Sequence, residues 1–182
     1  YVQVKSTAPS MNGQFAQIYV RERVAARRLQ GGSSGVVLFI HGAGTPAEVA
    51  FDVPHADYSW MVWLANAGFD VFSMDMEGYG RSTRPTVMND PHNLSPAQQA
   101  QFVPVLLAAP GAPSFKGSAT TIASDWNDIA AVVKYLRSLR RVERVSLVGW
   151  SQGGPRAGGY AAQHPEQVDR LILLAPAYNR GS

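Results

Sequence analysis

The sequence contains no cysteine, which excludes disulfides, thiol nucleophiles and thiolate metal sites in one step. No apolar run approaches the roughly 20 residues that span a bilayer as a helix, so no membrane span is expected. Charge is sparse: 16% of residues carry it and the formal net charge is +3. The densest basic group, Arg21, Arg23, Arg27 and Arg28, is interrupted by Glu22 and flanks a predicted strand. It reads as a solvated strand face, and no nucleic-acid partner is implied. No phosphate-cradling lysine loop exists, and Gly78-Tyr79-Gly80 lacks the third glycine and following helix of a dinucleotide site. No organic cofactor is therefore implied. His41, His55 and His92 have no helical or hairpin spacing that would gather a metal site. A leading methionine is also missing. A start at Tyr1 fits either a removed export signal or a trimmed terminus, and slightly favours a secreted or periplasmic protein.

What is present suffices for a core. The chain has 182 residues, 46% of them hydrophobic, which suits one domain over 1–182. Four short apolar runs, Val36 to Ile40, Val71 to Met74, Val145 to Val148 and Leu171 to Leu174, show little polar alternation. That is the pattern of parallel strands covered on both faces. Phe15 to Val24 reads as an antiparallel strand leading through the turn Gly31-Gly32-Ser33-Ser34-Gly35 into the first buried run. Helical patterns lie between the strands. Tyr58 to Ala67 carries Trp60, Met61, Trp63 and Leu64 and stops at Gly68. Ser124 to Arg140 starts on a capping serine, with Asp125 and Asp128 placed to meet the helix dipole. Pro155 to Gln163 follows the third apolar run. The alternation predicts an α/β fold, a doubly wound, mostly parallel sheet with helices on both faces. Prolines break the rhythm between Pro85 and Ala119. Residues 85–119 read as an excursion that either folds over the strand ends as a partial lid or packs on itself.

In such a sheet the reactive residues belong at the carboxyl ends of the strands. Three of those ends are unusual: His41-Gly42-Ala43-Gly44, the loop Asp75 to Ser82, and Gly149-Trp150-Ser151-Gln152-Gly153. A serine on a sharp turn between a buried strand and a helix has its hydroxyl pushed out of the backbone, and the flanking glycines avoid collisions in that turn. Ser151 is the candidate nucleophile. The N–H of Gln152, at the start of the next helix, is one candidate oxyanion donor, and the N–H of Ala43 is the other. His41, Gly42, Gly44 and Trp150 border the same position as candidate substrate-binding residues, with His41 also shaping its loop.

With these motifs the chain resembles the α/β-hydrolase superfamily from Phe15 to Tyr178. The resemblance rests on His41-Gly42, on Asp75-x-x-Gly-Tyr-Gly-x-Ser82 and on the elbow at 149–153. It implies a serine hydrolase of carboxylic esters working through an acyl-enzyme on Ser151, with Ala43 and Gln152 as the oxyanion hole. The chain departs from the pattern beyond the elbow. The family places an acid after a later strand and a histidine last of all. Here His164, Glu166 and Asp169 fall at the far end of the next helix, and Asn179 is an amide where some relatives carry their acid. His55 and His92 are minor candidates for the base, and Asp75 for the acid. The expectation is the amino-terminal part of a fold completed by a second polypeptide, which brings the histidine, the acid and strands to cover the edge of Leu171 to Leu174. An acyltransferase with the same nucleophile and a non-catalytic binding module are the alternatives.

Overall fold

In a computed structural model of the chain, residues 1–26 and 35–177 are described. Arg27, Arg28, residues 31–34 of the glycine-serine turn, and 178–182 with Asn179 lie outside the described residues. The chain opens with an antiparallel pair that the sequence reading did not separate, β1 (Val2–Lys5) and β2 (Phe15–Ile18). The single strand expected over Phe15 to Val24 is two. The run breaks at Tyr19, and β3 (Val20–Arg23) joins the main sheet. Tyr19 can leave the ladder because other groups satisfy its backbone: its N–H donates to Ser82 Oγ at 2.8 Å, and its carbonyl accepts from Asp75 N at 3.1 Å.

The remaining elements alternate. They are β4 (Val36–Ile40), α1 (Ala47–Phe51), α2 (Trp60–Asn66), β5 (Asp70–Met74), α3 (Pro96–Ala100), α4 (Ile122–Arg140), β6 (Val145–Trp150), α5 (Gly153–Gln163) and β7 (Val168–Leu174). The five-stranded sheet runs β3-β5-β4-β6-β7, antiparallel only at β3. Successive side chains point to opposite faces, so each central strand feeds two cores. Leu38, Ile40, Phe72, Met74 and Leu147 pack with Ile129, Val133 and Leu136 of α4 and Tyr160 of α5. Val37, Phe39, Val71 and Val148 pack with Phe51 of α1 and Met61 and Ala65 of α2. Helices thus cover both faces.

Caps fix the helix ends. Ser59 Oγ accepts from Val62 N at 3.0 Å to start α2, and Gly68 follows its end at φ +104°. Helix α4 begins two residues before the expected Ser124. Thr121 is its cap: Thr121 Oγ1 accepts from Ser124 N at 3.2 Å, while Ser124 Oγ accepts from Thr121 N at 2.9 Å. Asp125 and Asp128 do not face solvent at the dipole's positive end; both are buried.

Residues 85–119 hold two short 3₁₀ turns and α3. Buried Gln99 ties the segment to itself, donating to the carbonyls of His92 and Leu94 at 2.9 and 3.0 Å and accepting from Gly111 N at 2.8 Å. At the other end of the sheet, among the described residues β7 pairs only with β6, and Leu171, Ile172 and Leu173 are each about 40% exposed. This strand is therefore not covered on both faces as its apolar run suggests, because it is the edge of the described sheet.

Candidate active site

Strand β4 is where the winding reverses, with β5 on one side and β6 on the other. In register, Ile40 lies beside both Met74 and Gly149. The loops leaving the three strands, from His41, Asp75 and Trp150, therefore emerge together.

Ser151 sits on the turn between β6 and α5 at φ +53°. A left-handed non-glycine residue costs on the order of 1–3 kcal/mol and persists only where its surroundings impose it. Here they do: Ser151 N donates to Leu174 O at 3.0 Å, and Ser151 O accepts from Gly154 N and Ala177 N at 2.9 and 2.8 Å. The neighbouring glycines leave the required room. A Cβ on Gly149 would strike the Gly153 carbonyl group, and one on Gly153 would strike the Ile40 carbonyl. One on Gly42 would stand 2.9 Å from Ser151 Cβ, so the 41–44 loop lies directly against the serine turn.

Two backbone donors flank that turn without acceptors. Among the described residues, neither the Ala43 N–H nor the Gln152 N–H makes a hydrogen bond. Ala43 and Gly44 are exposed, and Gly44 holds φ +79°. Trp150 is about one-third exposed and lines a cavity of about 430 Å³ with Ala50, Phe51, Trp60, Leu174 and Ala175. A second, mostly apolar cavity of about 440 Å³ lies between Trp60, Trp63, Phe39 and Ile172. Neither cavity is lined by Ser151 itself.

The ring of His41 is fully buried behind the loop. Its Nε2 accepts from Met76 N at 3.1 Å and its Nδ1 contacts Gly42 O at 2.7 Å, an arrangement that fits the neutral tautomer with the proton on Nδ1. Burial first, and the nearby Arg156 charge, push its pKa down to about 4. With both nitrogens engaged and the ring neutral, His41 shapes the loop. No imidazole is hydrogen-bonded to Ser151 among the described residues. His92 is bound to Asp90 in the excursion and exposed His55 lies against Tyr58. Helix α5 runs eleven residues from the serine turn, about 16 Å, before the chain reaches His164 and Glu166.

The acidic residues of the neighbouring loop are structural. Asp75 Oδ1 accepts from Ala47 N at 2.8 Å and its Oδ2 from Arg81 N at 3.0 Å, closing the 75–82 turn onto α1. Glu77 N donates to Asp128 Oδ2 at 3.0 Å, and Ser6 Oγ donates to Glu77 Oε2 at 2.9 Å. Burial, and then the charge of Glu77, push the Asp128 carboxyl up to about 8. Among the described residues no group of three or more His, Asp or Glu is arranged to hold a metal ion. Among the described residues no helix is long and apolar enough to cross a membrane.

Residues 35–181 match the family described as the alpha/beta hydrolase fold. The chain belongs to the α/β-hydrolase fold family. Among curated relatives, a 2-hydroxy-6-oxononadienedioate/2-hydroxy-6-oxononatrienedioate hydrolase of Comamonas testosteroni is 33% identical over 86 residues. That match covers 46% of this chain and 29% of the relative. An esterase from Exiguobacterium antarcticum superposes with a TM-score of 0.57 at 20% identity, covering 96% of this chain and 45% of that one. The monoacylglycerol lipase of Paleococcus ferrophilus gives 0.57 at 19% identity, with 90% and 44% covered. The chain thus spans under half the length of these proteins.

Sequence reasoning named Ser151, Ala43, Gln152, His41, Gly42, Gly44 and Trp150, and the structure brings all seven to one end of the sheet. It did not single out Arg156, buried one turn beyond Ser151 and bonded to the His41 and Gly42 carbonyls. A signal was present: Arg156 is the one charged residue in the glycine-rich α5, a helix whose small residues let it pack closely.

Proposed function

We propose that this chain carries the nucleophile and the oxyanion-binding half of a serine hydrolase acting on carboxylic esters. The observation that supports it is the pair of N–H groups, Ala43 and Gln152, that have no acceptor among the described residues and lie on either side of a left-handed Ser151. In this reading a histidine takes the Ser151 Oγ proton while Oγ attacks the acyl carbon, and the carbonyl π pair moves onto oxygen. The resulting oxyanion accepts from the two N–H groups. Collapse expels the alcohol, protonated by the imidazolium, and leaves an ester on Ser151. Water then repeats the sequence and releases the acid.

The histidine and its acid are supplied from outside these residues, by a second polypeptide in the same particle that also covers β7. Two features support that division: no imidazole is bound to Ser151 among the described residues, and the β7 edge exposes apolar side chains. The first of these also favours a second reading, a non-catalytic module that binds an ester without turning it over. Fluorophosphonate labelling separates the two. An adduct on this chain by denaturing intact mass, lost in Ser151→Ala and accompanied by a co-purifying polypeptide, supports the hydrolase. Absence of any adduct favours the binding module, and a well-folded, soluble monomer that labels by itself overturns the two-piece assignment.

A further inference from the structure

We infer that Arg156 is a positioning residue that sets the direction of the Ala43 N–H by clamping the peptide before it. The inference rests on the proposed oxyanion role of Ala43. Arg156 lies on the first turns of α5, is 2% exposed, and spreads its guanidinium over three acceptors. Nε donates to Asp125 Oδ2 of α4 at 2.7 Å, and Nη1 donates to His41 O at 2.9 Å and to Gly42 O at 3.3 Å. Its plane also lies over the Tyr79 ring, 5.4 Å from the centroid.

The Gly42 carbonyl and the Ala43 N–H belong to one peptide unit. That unit is planar and trans, so the two groups point in opposite directions. Gly42 O is held from the buried side by two donors, Arg156 Nη1 and His41 Nδ1. Fixing that oxygen inward fixes the Ala43 hydrogen outward, and Gly42 itself lies against Ser151. A single donor leaves a peptide next to glycine free to rotate, because Gly42 and Gly44 resist little. A second donor on a rigid fork removes that freedom. Asp125 holds the fork in turn, anchored in α4 by the Thr121–Ser124 cap.

Gln152, the other N–H without an acceptor among the described residues, caps the same helix. Arg156 thus ties both donors to one rigid body: α5 bears one, and the fork fixes the loop that bears the other. A lysine cannot reproduce this, since its compact ammonium lacks the planar fork.

Two measurements on the purified protein test this. The first is steady-state hydrolysis of a p-nitrophenyl ester by Arg156→Met and Arg156→Lys. Loss of one aimed oxyanion donor lowers kcat by about 10²-fold while leaving KM nearly unchanged, because the donor acts on charge that develops after binding. Arg156→Met is expected to show that loss, and Arg156→Lys roughly a tenfold loss with the same KM. The second is ¹⁵N relaxation of the Ala43 and Gly44 amides, expected to fall from about 0.85 toward 0.6 in order parameter while those of β4 and β6 hold. Should Arg156→Met fail to fold, Arg156→Lys decides the matter alone. Wild-type kcat and order parameters in a folded Arg156→Lys overturn the assignment, as does an equal rise in KM. If the wild-type protein hydrolyses no ester, the proposed function fails, and the Ala43 and Gly44 order parameters then decide the clamp by themselves.

Discussion

Two glycines in α5, five residues apart, should respond to the same substitution with opposite sign. A methyl on Gly153 would strike the Ile40 carbonyl and stand 2.9 Å from the His41 carbonyl oxygen. Neither is the end of a flexible side chain. Ile40 is paired in register with Met74 and Gly149 on both sides, so relief requires moving α5 or distorting the centre of the sheet. Overpacking of this kind costs about 1–3 kcal/mol, or roughly 2–12 °C in Tm for a chain of this size. A methyl on Gly158 meets nothing within 4 Å, and its φ is not in the left-handed region. There alanine gains about 0.5–1 kcal/mol, because glycine loses more backbone freedom on entering a helix. Urea midpoints of Gly153→Ala and Gly158→Ala against wild type measure the pair. Gly153→Ala carries a second consequence. The displaced backbone leads directly into His41 and Gly42, and misplacing a catalytic group by about 1 Å costs on the order of 10²-fold in rate. The reasoning is refuted if Gly153→Ala matches wild type in midpoint and turnover, or if Gly158→Ala is the less stable of the two.

The remaining expectations concern pH, capping and the sheet edge. His41 has a folded pKa of about 4 against 6.5 unfolded, so the unfolded chain binds more protons between those values and stability rises with pH there. Asp128 runs the other way: with a folded pKa of about 8 against 3.8, the native chain binds the extra proton and stability falls as pH rises between about 4 and 8. Asp128→Asn, which keeps an acceptor for Glu77 N, should therefore flatten the decline between pH 7 and 8 and expose the His41 rise below 6.5. Each slope approaches about 1.4 kcal/mol per pH unit; urea midpoints at pH 5, 7 and 8 decide it, and an unchanged decline in the variant contradicts it. Thr121→Ala should cost about 1 kcal/mol by removing the α4 cap, read as a Tm lower by roughly 2–4 °C. Ile172→Lys, at an exposed position of β7, should leave the fold of the chain intact while abolishing co-purification of the second polypeptide; retained co-purification places the contact elsewhere.

What the sequence disclosed, and what it hid, follows from the range of the interactions involved. The apolar runs became β4, β5 and β6 because burial of a strand is written locally in Val, Ile and Leu, whereas the run at Leu171 to Leu174 became β7 without that burial. The Ser151 turn was equally legible, since its glycines are demanded by backbone a few residues away. The β1–β2 pair was not legible: short strands with one covered face look like polar chain. Tyr19 was also hidden, because its partners Asp75 and Ser82 come from a distant loop. Ser124 reads as the cap of α4, and the structure gives that place to Thr121, with Ser124 returning the reciprocal bond from the first turn. Asp125 and Asp128 fit a dipole argument well, yet both serve buried partners, Arg156 and Glu77. A carboxyl in a short motif reads as surface until the distant group that bonds it is located.

Under the proposed division of the site, the anion-stabilising and proton-transferring halves of acyl transfer lie on different polypeptides, and that division is measurable. Ser151, the Ala43 and Gln152 donors and the Arg156 clamp all lie between residues 41 and 156. In serine hydrolases lacking a triad member, binding and the oxyanion hole alone retain roughly 10³–10⁴-fold acceleration over water. This chain, purified apart from any second polypeptide, is therefore expected to cleave an activated ester such as p-nitrophenyl acetate at about that level. Its rate should show no inflection near pH 6.5, because the histidine nearest the site, His41, is held neutral down to about pH 4. Adding the second polypeptide should raise kcat by a further 10²–10⁴-fold, the contribution of a positioned base, and introduce an inflection near the ordinary histidine pKa. Full turnover with that inflection from the isolated chain would mean that His55, His92 or His164 reaches Ser151 in solution, and the division of the site between two chains would be wrong.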